Sequence, residues 1–315
     1  MPVTLDPSAA AVIAAFRAAG RPPYETMTPV EARAAQALGR PVIQPDPPQV
    51  ASVEQIVIPS EAAQIPARVY KPLTLAQRDG LSAGVIFFHG GGWTIGDLDG
   101  YEVVCKSIAT EAQMIVISVD YRLAPEHRFP AAVDDALAAT KWIAENAVRF
   151  GVDPERLIVC GDSAGGNLSA VVAIHARDNG GPKIAGQALI YPATEAACTH
   201  PSHKEEDTSV LLTHPLIKWF YDHYIPNKED NADWRASPAR VKDLSRLPRA
   251  YVITAGADPL RDEGDEYAER LRKAGVSVVH SYYPGQFHGF ISFGRLLPES
   301  SQLIREIGSW LRQFN

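Results

Sequence analysis

The sequence predicts an α/β fold: a mostly parallel, eight-stranded sheet with helices on both faces and a helical cap. Two observations carry this. From residue 84 onward, short continuous apolar runs alternate with helical patterns, as strands buried on both faces require. The chain is also 46% hydrophobic over 315 residues, enough to close a large core without disulfide or metal.

The elements follow in order. Residues 7–19 and 29–38 are Ala-rich with helical spacing, and "RPVIQPDPPQV" then breaks the pattern with four prolines. "SVEQIVIP" and "QIPARVYK", parted by a short polar loop, predict an antiparallel pair. Strand "GVIFFHG" precedes a helix near 100–112, "MIVISVDY" a helix at 130–149, and "RLIVCG" a helix from Ala164. "AGQALIYP" leads through an irregular stretch, 192–212, to a helix near 213–224. "AYVITAG" precedes a helix at 261–274, and "VSVVHSYYP" one at 299–313. The expected organisation is N-terminal cap helices in 1–45, a catalytic domain from 46–191 and 225–315, and a second cap segment in 192–224.

Charge and cysteine content narrow the function. A net charge of −7, with lysines and arginines scattered, argues against nucleic acid as a partner. The run Lys204-Glu205-Glu206-Asp207 reads as a solvated loop. Cys105, Cys160 and Cys198 are widely spaced, lack metal-ligand spacing and suit a reduced, cytoplasmic protein. The N-terminus has no basic, apolar leader pattern, and no apolar run approaches the roughly 20 residues of a membrane span.

The chemistry centres on "LIVCGDSAGGNLSAVVAIHA". An apolar strand ends in Gly161-Asp162-Ser163-Ala164-Gly165 and turns into a helix, the setting of a nucleophile elbow. The flanking glycines let strand and helix approach, and the helix N-terminus favours negative charge beside Ser163. "FFHGGGWTIG" places three glycines after another strand, leaving N–H groups unshielded for an oxyanion hole. The donors assigned are the N–H groups of Gly91, Gly92 and Ala164. His89 reads as an organiser of that loop. A serine needs a base and an orienting carboxylate. Asp258 follows "AYVITAG" and His288 follows "VSVVHSYYPGQF", giving the chain order Ser, Asp, His of an α/β-hydrolase sheet. His200 and His203 read as structural or surface residues, and Asp262, Glu263 and Asp265 as support for the first turn of their helix. Trp93 is expected in the wall of the substrate pocket or beneath its loop. Asp162 is expected at the pocket.

"HGGGW", "YRLAPEHRFPAA", "GDSAGGNL", "DPLRDEG" and "YPGQFHGF" together resemble the hormone-sensitive-lipase-like bacterial esterases, from about residue 50 to the C-terminus. The resemblance implies an α/β-hydrolase fold with a cap, and hydrolysis of short- to medium-chain carboxylic esters by Ser163, Asp258 and His288. It implies a structural turn in "DYRLAPEH", with Arg122 and Glu126 bonded into the scaffold. No cofactor and no metal are expected, because phosphate-loop, dinucleotide and metal signatures are lacking. The expected partner is a small-molecule ester, and a homodimer through an edge strand and the final helix is compatible with such a fold. Two alternatives stand beside this reading. One is a non-catalytic receptor on the same scaffold, of the kind typified by the plant gibberellin receptor, which needs no catalytic His. The other is an amidase or lactonase using the same triad.

Overall fold

The computed structural model describes residues 3–76, 80–205 and 211–315. Its centre is β3 (Ser82–Phe88), every residue of which is buried. Side chains alternate along it: Val85 and Phe87 enter one core, Ile86 and Phe88 the other. The same partition runs through β4 (Ile115–Val119), β5 (Val152–Asp162), β6 (Ile184–Ile190) and β7 (Arg249–Ala257). This period-two pattern with both faces apolar calls for helices on both sides. One face lies under α4 (Ala131–Asn146), α5 (Ala164–Asn179) and α7 (Arg261–Lys273), the other under α3 (Glu102–Ala112) and α8 (Pro298–Leu311). Each fully buried Phe contributes roughly 1.5–3 kcal/mol relative to exposure.

The eight strands run in the order β1-β2-β4-β3-β5-β6-β7-β8, with β1 (Ser52–Pro59) and β2 (Gln64–Lys71) as the antiparallel end. The other pairings are parallel, so β3, β5, β6, β7 and β8 (Val278–Phe287) all deliver their carboxyl ends to one edge. Loops there converge, as is usual for ligand sites in open α/β sheets.

The N-terminal helices dock at that edge. α1 (Pro7–Ala18) is anchored by Asp6, whose N–H donates to the Gly285 carbonyl and whose carboxylate accepts from Gln286. α2 (Pro29–Ile43) opens with a capping box between Thr28 and Glu31. It runs past the expected end at residue 38 and carries Pro41 in its last turn, which leaves the Ala37 carbonyl without an N–H from position 41. Arg33 of α2 donates to the carbonyls of Thr94 and Ala124 and grips Glu126 with both ends of its fork. α6 (His214–Tyr224) follows the irregular stretch, of which residues 206–210 lie outside the described residues. The expected acidic run therefore falls partly outside the description.

Candidate active site

Ser163 sits at the turn between β5 and α5 with φ 56° and ψ −118°, a conformation costly for a residue with a side chain. Neighbouring backbone holds it there. Its N–H donates to the Ile190 carbonyl at 2.9 Å, and its carbonyl accepts from Ala193 at 3.2 Å and Asn167 at 3.0 Å. The turn also needs glycine at position 165: a Cβ there would run into the Phe88 carbonyl oxygen and lie 2.8 Å from that of His89. The strain thus points the Ser163 side chain out of the sheet edge, above the N-terminus of α5.

His288 follows the last residue of β8 and reaches both partners. Its Nε2 is 2.9 Å from Ser163 Oγ and its Nδ1 is 2.8 Å from Asp258 Oδ2. A carboxylate only accepts, so Nδ1 donates to Asp258 and Nε2 accepts from the Ser163 hydroxyl. Asp258 is buried, and its other oxygen accepts from the Leu260 N–H at 2.8 Å. All three residues therefore meet, although each follows a different strand, β5, β7 or β8.

The glycine loop lies beside them. Gly91 and Gly92 have φ of 113° and 56°, and the Gly91 carbonyl accepts from Thr94 and Ile95, closing a tight turn. Among the described residues, no hydrogen bond uses the N–H of Gly91 or Gly92. Ala164 is the first residue of α5, so its N–H has no intrahelical acceptor. Three unspent donors thus flank Ser163. Phe220 of α6 lies over Gly92, where a Cβ would fall within 2.7 Å of three ring carbons.

Asp162 departs from the expected pocket position. It is buried, and its carboxylate accepts from the Gly90 N–H at 2.8 Å and the Tyr101 hydroxyl at 3.0 Å. It therefore tethers the glycine loop to β5, and burial pushes its pKa up to about 6. Trp93 is also buried and stacks on Tyr224 at 4.2 Å and 5°, which makes it a support beneath the loop rather than an open wall. His89 lies under the loop: Nδ1 donates to the Gly90 carbonyl, the ring stacks on Tyr121, and burial lowers its pKa to about 4. Arg122 forks onto Asp135, so both scaffold residues of "DYRLAPEH" are bonded, Glu126 through Arg33.

Glu263 does more than face a helix end. It is buried and accepts from the N–H groups of Thr194 at 2.5 Å and Glu195 at 3.2 Å, and it pairs with buried His203 at 2.7 Å. Neighbouring Asp262 accepts from Ser202 N–H, and Arg261 grips Glu205. The first turn of α7 thus clamps the segment after β6. Only the acidic character of "DPLRDEG" hinted at this in the sequence. Tyr101 and Tyr191, whose ring meets His288, gave no local signal at all. Among the described residues, no group of three or more His, Cys, Asp or Glu is arranged to hold a metal, and no helix is long and apolar enough to cross a membrane.

Comparison with known proteins gives a consistent picture. A family model described as alpha/beta hydrolase fold matches residues 85–292. Carboxylesterase NlhH of Mycobacterium tuberculosis is 44% identical over 259 residues, covering 81% of this chain and 80% of that protein. The carboxylic ester hydrolase LipN of the same organism is 43% identical over 274 residues, covering 85% of this chain and 72% of LipN. Among solved structures, ester-hydrolase EH1AB1 from the metagenome of Lake Arreo, complexed with a bipyridine phosphonate derivative, has a TM-score of 0.94 and 39% identity. It covers 98% of this chain and 99% of that one.

Proposed function

Because this chain belongs to the hormone-sensitive-lipase-like carboxylesterases of the α/β-hydrolase fold, we propose that it hydrolyses short- to medium-chain carboxylic esters through an acyl-enzyme on Ser163. The hydrogen-bonded chain Asp258–His288–Ser163, at 2.8 and 2.9 Å, supports this reading most directly. His288 takes the Ser163 proton as Oγ attacks the ester carbonyl carbon. The carbonyl oxygen becomes an oxyanion and accepts from the N–H groups of Gly91, Gly92 and Ala164. The tetrahedral intermediate then collapses: the ester C–O bond breaks, His288 gives its proton to the departing alcohol oxygen, and the acyl group stays on Oγ. Water, deprotonated by His288, releases the carboxylic acid by the reverse sequence, and Ser163 regains its proton. Asp258 fixes the imidazole tautomer and stabilises the imidazolium.

Residues 1–45 and 192–224 are read as the cap over the catalytic domain. Contacts from Asp6, Arg33 and α6 to the site's loops support that division. Phe220, packed over Gly92, favours small acyl or alcohol groups by narrowing the space above the donors. Three free cysteines fit a reducing, cytoplasmic setting. β8 ends the sheet with Val279 and Tyr282 exposed, which fits a homodimer across that edge. A receptor has no use for a base and its orienting acid, so the complete His288–Asp258 pair weighs against the non-catalytic alternative.

The test is turnover of p-nitrophenyl esters from acetate to palmitate by wild type and Ser163→Ala. Short chains are expected to be hydrolysed best, with the variant reduced on the order of 10⁴-fold or more. Near-normal turnover in Ser163→Ala would overturn the assignment, and an ester-inert, folded wild type would favour the receptor.

A further inference from the structure

Three elements bring their ends to His288, and the least explained is Tyr191, just beyond β6. Its side chain is buried, and its ring centroid lies 4.7 Å from that of His288, inclined by 58°. On its far side the ring meets Phe290 at 6.0 Å. The backbone there has φ 34°, in the left-handed region that few non-glycine residues enter, and the Tyr191 N–H donates to Ile253 at 2.7 Å. Residues on either side are equally committed: Ile190 accepts from Ser163, and Ala193 donates to it. One short segment therefore grips the backbone of Ser163 and sets an aromatic ring, tilted by 58°, against the imidazole. Such a ring restricts imidazole rotation and attracts a neighbouring cation within about 6 Å.

We propose that Tyr191 is a positioning residue. Its ring holds the His288 imidazole in line between Ser163 and Asp258 and favours the imidazolium formed when Ser163 attacks. This rests on the acyl-transfer reading above. The charged and titratable groups facing His288 are Asp258 from β7, Asp162 and Ser163 from the end of β5, and Tyr191 itself. Asp6 from α1 is taken up by Gln286 and Gly285. Removing the ring while keeping apolar cover leaves those charges in place and withdraws only the attraction for the cation.

The experiment compares Tyr191→Phe and Tyr191→Leu, with Ser163→Ala as a control, in full pH profiles of kcat and KM on p-nitrophenyl butyrate. Thermal melts report folding. Tyr191→Phe keeps the ring and should match wild type in kcat and in the acid limb of the profile. Tyr191→Leu should lose about tenfold in kcat with KM nearly unchanged, and its acid limb should move to lower pH by about half a unit. A role confined to packing lowers the melting temperature without moving the limb. An unmoved limb in Tyr191→Leu, or a loss in Tyr191→Phe as large as in Tyr191→Leu, overturns the inference while inactive Ser163→Ala leaves the acyl-transfer reading standing. Retained turnover in Ser163→Ala overturns both.

Discussion

Gly92→Ala adds one methyl group at the place where α6 meets the glycine loop and the N–H proposed above as an oxyanion donor. At φ 56° the new side chain incurs a left-handed penalty of about 1–2 kcal/mol. Its Cβ would also fall within 2.7 Å of three Phe220 ring carbons, all of which belong to the rigid root and edge of a buried ring. Overpacking of that kind costs about 1–3 kcal/mol, so the variant should be destabilised by about 2–5 kcal/mol in total. The strain is relieved by moving either α6 or the loop, and a shifted loop misaims the Gly92 N–H. Loss of one such donor lowers kcat by about 10²- to 10³-fold. Urea unfolding measures the first effect, and kcat on p-nitrophenyl butyrate the second. Phe220→Ala, which removes the clashing ring, supplies the decisive comparison. The double variant should recover part of the kcat lost by Gly92→Ala and be less destabilised than the two single changes summed. Strict additivity, or a folded Gly92→Ala with kcat within about threefold of wild type, would refute the reasoning.

Two other changes test the scaffold beneath the site. Asp162 has its pKa raised by burial from 3.8 to about 6, so the native state holds the proton more tightly than the unfolded chain. Its contribution is complete below pH 3.8 and is lost as pH rises through about 6, a swing of up to about 3 kcal/mol. Asp162→Asn does not titrate, so its stability relative to wild type should improve between pH 4 and pH 7, and urea melts that show a pH-independent difference would contradict this. Glu263→Ala strands the Thr194 and Glu195 N–H groups and His203 in a buried place, and should cost about 3–5 kcal/mol in urea unfolding. Glu263→Gln, which can still accept from both N–H groups, should cost less, and equal costs would show that the carboxylate's charge, not its hydrogen bonding, holds the segment.

Much of this architecture is written in local pattern. Continuous apolar runs such as Val85–Phe88, short and bounded by glycines, read as strands covered on both faces, and the antiparallel β1–β2 pair follows from two short runs and a polar turn. The meeting of Ser163, Asp258 and His288 was legible because each follows its own strand, and parallel strands end together. Less legible were features fixed by distant partners. β8 continues through Pro284 and Gly285 to Phe287, because an edge strand pairs on one side only and tolerates a missing donor. Asp162 is adjacent to Ser163 in sequence, but successive side chains at a strand end point to opposite sides, and its carboxylate goes to Gly90 and Tyr101. Glu263 and His203 are polar residues whose mutual burial depends on how the intervening chain folds back, which no window of sequence contains.

The clamp at the start of α7 bears on how substrate preference is free to change. The segment after β6 is plugged into Arg261, Asp262 and Glu263, a few positions beyond Asp258. A graft that imports a foreign stretch between Pro192 and Glu205 must therefore bring a histidine at the place of His203 and a carboxylate partner for Arg261 at the place of Glu205, or leave the buried Glu263 and the Arg261 guanidinium without these mates. Exchange of α6, tied instead through ring stacking and the Arg128 contacts to its carbonyls, carries no such obligation to the acid loop. The two halves of the stretch between β6 and β7 thus differ in evolvability: the part beside the first turn of α7 is keyed in place, and α6, packed over Gly92, is open to redesign by packing alone.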